Sequence, residues 1–476
     1  MSFLRPTPSP GVVYAALLLL TLVTGLTGSL GAPLVPAIAL REEVSLSTAQ
    51  WALSAPFVVG AVSAPVVGRL GVGRRRRPLL LSLIAVATVG SVVAALPFGI
   101  VTILGGRALQ GVAFAATPLL FSVARDVLPA DRAARAVPTL SVANVAAAGL
   151  GYPVTALVAG QAGLAAAFWV AAGIMLMALV VALVTIPADG SPAPTDVDVV
   201  GAVLLVLGLS CSLLLVTQAQ SWGTGPWSWL TGCLAVALLG GALRHFRRAP
   251  APLVDLQWVL DRRVGGLHLI TFLVATGAYV LLAMTAIVVQ ADEPNGFGLG
   301  RSATVVGLTM TVYAVGTVVG NRMASSLATW GPAASLPVGC TVFACADLML
   351  LLSHESPIEV AGAMALGGIA SGLSFQALPW LFMSILPAAE VGSALGINVV
   401  VRFFGFALGS AVASTLLEVR AVAGMNTGGG LRTAMLAGVA VCAVAAAVAL
   451  VHARREPTPP AHLDLDRATH NQQEIR

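Results

Sequence analysis

Apolar residues along this chain come in long unbroken runs, with the polar residues gathered between them. Fourteen runs stand out, near residues 12–40, 48–69, 78–98, 100–124, 136–160, 164–187, 199–220, 228–246, 264–290, 302–328, 334–353, 357–386, 392–417 and 431–452. A helix needs roughly 20 apolar residues to cross a bilayer. The pattern therefore predicts an all-α polytopic membrane protein of about fourteen transmembrane helices. Runs 3 and 4 are parted only by Pro97-Phe98-Gly99. The first, ninth and twelfth runs are longer than a crossing needs, so they are expected to tilt or bend. Counting spans predicts a six-helix bundle over residues 1–190, a two-helix insert over 191–250, and a second six-helix bundle over 251–455. The tail 456–476 is Pro-rich and then polar, and is expected to be disordered.

Composition narrows the class. The chain has 476 residues, 58% hydrophobic and 9% charged, against about 25% charged in soluble proteins. Its sequence pI of about 9.3 does not argue for nucleic acid, because the Arg residues cluster at helix ends and form no single stripe. The five cysteines (Cys211, Cys233, Cys340, Cys345 and Cys442) lie in apolar runs without a CxxC spacing. Buried thiols are expected, with no disulfide framework, metal site or cofactor. No GxxxxGK[ST] loop is present, which disfavours ATP-driven pumping. The histidines, among them His245, His268, His354 and His452, are scattered and form no catalytic constellation, so an enzyme is not expected. Two six-span blocks suit the paired bundles of a secondary transporter.

Orientation follows from Arg placement. With the N-terminus inside, cytoplasmic segments hold Arg69, Arg74 to Arg77, Arg125, Arg132, Arg135, Arg244, Arg247, Arg248, Arg262 and Arg263, while external segments hold only Arg41, Arg301, Arg420 and Arg432. Both termini are expected in the cytoplasm, with the chain in the cell (inner) membrane. Trp222, Trp227 and Trp229 read as an aromatic belt at the outer interface. The loop Ala291-Asp292-Glu293-Pro294 reads as an external turn.

Two runs carry a cation well inside. Arg107 sits within Gly105-Gly106-Arg107-Ala108-Leu109-Gln110-Gly111, and Arg402 within run 13. Arg at the centre of a membrane helix costs roughly 2.5–3.5 kcal/mol on insertion scales, so such residues face a bundle interior or a wet pathway. The glycines at 105, 106 and 111 would let a neighbouring backbone approach. The bland alternative for Arg107 is a packing residue paired with backbone carbonyls. Gly68-Arg69-Leu70-Gly71-Val72-Gly73-Arg74 and the Arg run after it join runs 2 and 3 as a tight, basic turn at headgroup level. Pro153, after Gly149-Leu150-Gly151-Tyr152, removes a helix hydrogen bond and should kink run 5. Pro33 and Pro36 suit a broken first helix with exposed carbonyls. Asp347 is the acid placed well inside a run, where apolar surroundings suit a proton carrier. Asn144, Tyr152, Gln290, Tyr313, Gln376, Trp380 and Asn398 are further candidates for a cavity wall, each with the alternative of hydrogen-bonding glue between helices.

On these stretches the chain resembles a major facilitator superfamily transporter, and specifically its fourteen-span drug:proton antiporter branch. Gly68, Leu70, Gly71 and the Arg run from Arg74 resemble the family's signature loop, although Val72 stands where that pattern has Asp. Arg107-Ala108-Leu109-Gln110-Gly111 is similar to the family's Arg-x-x-Gln-Gly motif in full, and the resemblance implies a part for Arg107 in proton coupling. Gly151 and Pro153 resemble the antiporter motif of span 5, with Tyr152 interrupting its Gly-Pro step. The branch's acid in span 1 is missing here. The expectation is a proton-coupled exporter of lipophilic or amphiphilic small molecules, working as a monomer among membrane lipids. Arg107 and Asp347 would couple protons. Arg402, Asn144, Tyr152, Gln376, Trp380 and Asn398 would line the substrate cavity. With few acids in the membrane, a neutral, zwitterionic or anionic amphiphile fits better than a multiply charged cation. The rivals are a non-transporting membrane sensor or assembly subunit that kept the fold, and a proton-coupled importer.

Overall fold

The computed structural model describes residues 9–30, 34–44, 46–71, 73–187, 198–250, 252, 254, 256–259, 261–291, 297–327, 334–386, 388–418 and 428–455. The expectations for Pro33, Val72, Asp292, Glu293, Pro294 and the tail 456–476 lie outside these residues, as does the side chain of Trp380.

The helices are α1 Pro10–Ser29, α2 Val35–Arg41, α3 Leu46–Leu70, α4 Arg76–Ala95, α5 Ile100–Gln110, α6 Ala116–Val127, α7 Ala130–Ala162, α8 Leu164–Thr185, α9 Val199–Trp222, α10 Pro226–Phe246, α11 Leu256–Val259, α12 Arg262–Gln290, α13 Ala303–Leu327, α14 Ser335–Leu352, α15 Pro357–Ile385, α16 Ala388–Glu418 and α17 Gly428–Arg455. The described residues contain no strand. Local chemistry sets several starts. Asp261 accepts the Arg263 amide at 2.7 Å and caps α12. Ser356 and Glu359 form a reciprocal capping box at α15, with Pro357 in its first turn.

Twelve stretches among the described residues are long and apolar enough to cross a membrane. The expected fourteen also included α3 and α7, helices of 25 and 33 residues in which several side chains lie outside the described set, and these two are not among the twelve. α7 carries Asp131, Arg132, Asn144, Tyr152 and Pro153. α3 packs on α16, and α7 packs on α1 and α13.

Run 4 crosses in three pieces: α5, a 3-10 turn over Gly111–Ala115, and α6. Pro118 supplies a reason, because it has no N–H to give the carbonyl of Phe114. The first run divides into α1 and α2. α7 runs unbroken through Pro153. Of the cysteines, Cys340 and Cys442 are buried, but Cys211 is half-buried and Cys233 and Cys345 are exposed. Those three correct the expectation of buried thiols.

The packed cores sort by sequence. Residues from α1 to α8 form two clusters, one around Leu17, Leu120 and Leu140 and one around Leu34, Ile103 and Phe168. Residues of α12 to α17 form two more, around Phe343 and Phe382 and around Met284 and Met435. The two sets meet where α3 packs on α16 and where α7 packs on α13. The α9–α10 hairpin lies across the first of these seams, touching both α3 and α16. Its Leu213 is buried beside Ala61 and Phe403.

Candidate functional site

Arg107 is 1% exposed. α5 reaches α4 so closely because two glycines face one another: a Cβ on Gly90 would lie 2.6 Å from the Gly106 carbonyl, and one on Gly106 would overlap Gly90 and Ala94. Gly111 is likewise held against Pro56, whereas Gly105 faces open space and takes no part in this approach. Arg107 Nε donates to the Ala52 carbonyl at 2.7 Å. Nη1 donates to the Thr27 carbonyl at 3.3 Å and to Gln110 Oε1 at 2.6 Å. Gln110 Nε2 in turn donates to Ser91 Oγ at 2.9 Å.

Both carbonyls are free for a reason legible in the sequence. Ala52 would receive its helical hydrogen bond from residue 56, and Pro56 has no N–H. Thr27 lies in the last turn of α1, where carbonyls lack intrahelical donors. Arg107 therefore closes two gaps in neighbouring helices and ties α1, α3 and α4 to α5. Among the described residues no carboxylate lies within ion-pair distance of it. The coupling scheme in which Arg107 faces a nearby acid does not match this geometry; the carbonyl-paired alternative does.

The same device recurs at the seam. Pro153 cannot donate to the Gly149 carbonyl, and Thr311 Oγ1 of α13 reaches it at 3.1 Å, sharing its proton with the Gly307 carbonyl of its own helix at 3.0 Å. Gly307 lies against Pro153, and Gly149 against Ala314. Gly151 lines an apolar cleft between α1, α7 and α8 with Thr27, Val154 and Val170. Three of the chain's four tyrosines gather near this seam. Tyr152 lies in electrostatic range of Arg107 and of Tyr279 and Tyr313, and Tyr313 in range of Arg402. The Arg402 guanidinium lies over the Phe375 ring, 5.5 Å from its centroid.

Beside Arg402 an aromatic cluster joins the two sets of helices. Phe57 of α3 and Phe114 of the 3-10 turn meet Phe403 and Phe406 of α16, with Phe57–Phe403 centroids 5.4 Å apart and Phe114–Phe403 centroids 5.8 Å apart. Tyr279 of α12 adds a ring 5.5 Å from Phe406. The sequence reading did not single out these rings. Their separation in the chain leaves no local signal.

The remaining candidates divide. Asn398 Nδ2 donates to Thr271 Oγ1 at 2.8 Å and lies 3.3 Å from His268 Nδ1, binding α16 to α12. Asn144 Nδ2 donates to the Thr21 carbonyl at 3.3 Å, binding α7 to α1. Gln290 donates to its own helix at the Ala286 carbonyl. These three act as hydrogen-bonding glue. Gln376 follows Phe375 and is half-buried. Asp347 is fully buried. Its Oδ2 accepts from Cys442 Sγ at 3.6 Å, its Oδ1 has no hydrogen-bond partner, and its carboxyl rests on Gly438 of α17. It pairs with neither Arg107 nor Arg402.

In the loop between α3 and α4, Gly71 packs on Leu119, Gly68 and Leu70 are half-buried, and Arg74 is exposed. The ion pair here was missed from sequence. Buried Arg76 meets Asp126 at the end of α6, Nη2 to Oδ2, at 2.7 Å. Asp126 also receives Arg125 Nε at 2.9 Å. Its position four residues before the start of α7, amid Arg125 and Arg132, was the available signal.

The profile of the Major Facilitator Superfamily matches residues 17–253 and 267–471. The chain belongs to this superfamily. Among curated relatives, it is 27% identical over 406 residues to the "Probable actinorhodin transporter" of Streptomyces coelicolor, covering 80% of this chain and 68% of that protein. It is 25% identical over 447 residues to the "Dehydrocurvularin exporter" of Alternaria cinerariae, covering 88% and 74%. The crystal structure of the human organic anion transporter MFSD10 superposes with a TM-score of 0.65 at 14% identity, covering 93% of this chain and all of that one. That likeness concerns the fold. The protein is a multi-pass major facilitator transporter.

Proposed function

We propose that this transporter is a proton-coupled exporter of lipophilic or amphiphilic small molecules, working by alternating access. α3 and α7 complete fourteen crossings, both termini face the cytoplasm, and two six-helix bundles rock about the seams α3–α16 and α7–α13. The α9–α10 hairpin is the insert between them. The observation that carries proton coupling is Asp347, a fully buried carboxyl group with one unpartnered oxygen. A carboxylate there would have a single thiol donor and no counter-charge, and such a state is costly without water. Taking up a proton removes that cost. Arg107 serves the cycle as the clamp that keeps α1, α3, α4 and α5 one body. Outward direction is supported by the likeness to a relative named as a dehydrocurvularin exporter.

The test is dye accumulation in cells expressing the chain, with and without a protonophore, beside Asp347→Asn at equal expression. Lower accumulation that either treatment abolishes is expected. Export that continues unchanged in Asp347→Asn and in protonophore overturns the reading. The saturation of Arg107 by carbonyls also suits a second reading, a membrane sensor that keeps the fold without coupling; it predicts no change in accumulation of any dye.

A further inference from the structure

Arg402 lies near the middle of α16, about 21 Å from Ala388 at 1.5 Å per residue. A cation at that depth faces protein or a wet interior. It is half-buried, and among the described residues its guanidinium has no hydrogen-bonding or ion-pairing partner, in contrast to Arg107 and Arg76. Its guanidinium lies over the Phe375 ring, 5.5 Å from the centroid, a cation–π contact that uses none of its N–H donors. Tyr313 lies in its electrostatic range, and no carboxylate is paired with it. The guanidinium is a fork that matches a carboxylate or phenolate in two parallel hydrogen bonds.

The surroundings specify more than charge. Phe406 stands one helical turn beyond Arg402, on the same side of α16. It adjoins Phe57 at 6.3 Å and Phe403 at 6.0 Å between centroids. A cation and a cluster of aromatic rings about one helical turn apart match a molecule with an acid group at one end and a flat ring system behind it. Because Phe57 belongs to α3 and Phe403 and Phe406 to α16, the ring-binding wall straddles a seam between the two sets of helices.

We propose that Arg402, held against the Phe375 ring, binds the acid group of a planar aromatic anion whose rings pack against Phe57 and Phe406. The inference rests on the reading of this interior as the substrate site and narrows the substrate class to aryl carboxylates and phenolates. Release of the rings follows when α3 and α16 part and the wall divides.

The experiment uses the full chain in phosphatidylcholine nanodiscs and three fluorescent probes of one ring system: pyrenebutyrate, pyrenebutanol and a pyrenebutyl trimethylammonium salt. Binding is read by anisotropy, with empty nanodiscs subtracted. The wild type is expected to hold the acid about tenfold more tightly than the alcohol, with the ammonium weakest. Arg402→Gln should bring acid and alcohol within about twofold, and Arg402→Lys should keep part of the preference. If Arg402→Gln does not give monodisperse protein, Phe375→Leu takes its place and should cut the acid preference severalfold. Equal binding of acid and alcohol by the wild type, or a preference that survives these substitutions, overturns the proposal. No gradient is needed for this readout. An intact acid preference beside failed dye export would therefore sink the export reading alone, and lost preference beside intact export would sink the anion site alone.

Discussion

The pairing of Arg107 with a carbonyl freed by proline makes a sharp prediction. Arg107→Met keeps most of the side chain's length and removes every donor. It strands the Ala52 and Thr27 carbonyls and Gln110 Oε1. A buried acceptor left without a partner costs about 1–3 kcal/mol, whereas side-chain hydrogen bonds within membrane bundles average about 0.6 kcal/mol and reach about 1.7. Removing a desolvated charge offsets part of the loss. A net destabilisation of about 2 kcal/mol is expected. Pro56→Ala restores an N–H at residue 56, which gives the Ala52 carbonyl its own helical donor. In that background the Arg107→Met cost should shrink by about 1 kcal/mol, since one of three stranded acceptors is satisfied again. The assay is reversible unfolding in mixed micelles across the four-member cycle. Costs that add to within about 0.5 kcal/mol would show that Arg107 and Pro56 act independently, and the account of this motif would fail.

Three further outcomes follow from the geometry. Gly106→Ala places a methyl group against the backbone of Gly90 and Ala94, so it should destabilise by about 1–3 kcal/mol and lower the yield of monodisperse protein, whereas Gly105→Ala, facing open space, should not. Asp126→Asn removes the Arg76–Asp126 ion pair; because Asp126 is partly exposed the cost should be about 1 kcal/mol, read as a lower melting temperature whose difference from wild type narrows in high salt. Thr311→Val removes the hydrogen bond to Gly149 across the α7–α13 seam. Stability should fall by less than about 1 kcal/mol while the transport rate changes severalfold, and a changed stability with an unchanged rate would argue against a moving seam.

The fold was largely legible because lipid demands it: backbone groups in hydrocarbon must be satisfied within the segment, so helices announce themselves as apolar runs. The runs near 199–220, 228–246 and 334–353 became Val199–Trp222, Pro226–Phe246 and Ser335–Leu352. The runs near 48–69 and 136–160 likewise became α3 and α7. The break after Gln110 lay in view at Pro118, but the unbroken hydropathy concealed it. Arg107 announced itself as a buried cation, yet its partners Thr27 and Ala52 lie 80 and 55 residues away. What could have been read locally was the spacing Ala52–Pro56, which marks a carbonyl in need of a donor. The aromatic wall of Phe57, Phe114, Phe403 and Phe406 had no such local mark, since it exists only where α3 meets α16.

The most direct test of proton-coupled export is proton release from everted membrane vesicles with an acid interior, followed by a pH-sensitive acridine dye. Addition of pyrenebutyrate should dissipate the gradient in vesicles bearing the wild type and leave it standing in those bearing Asp347→Asn at equal level. Loss of the gradient in both, or in neither, would contradict the account.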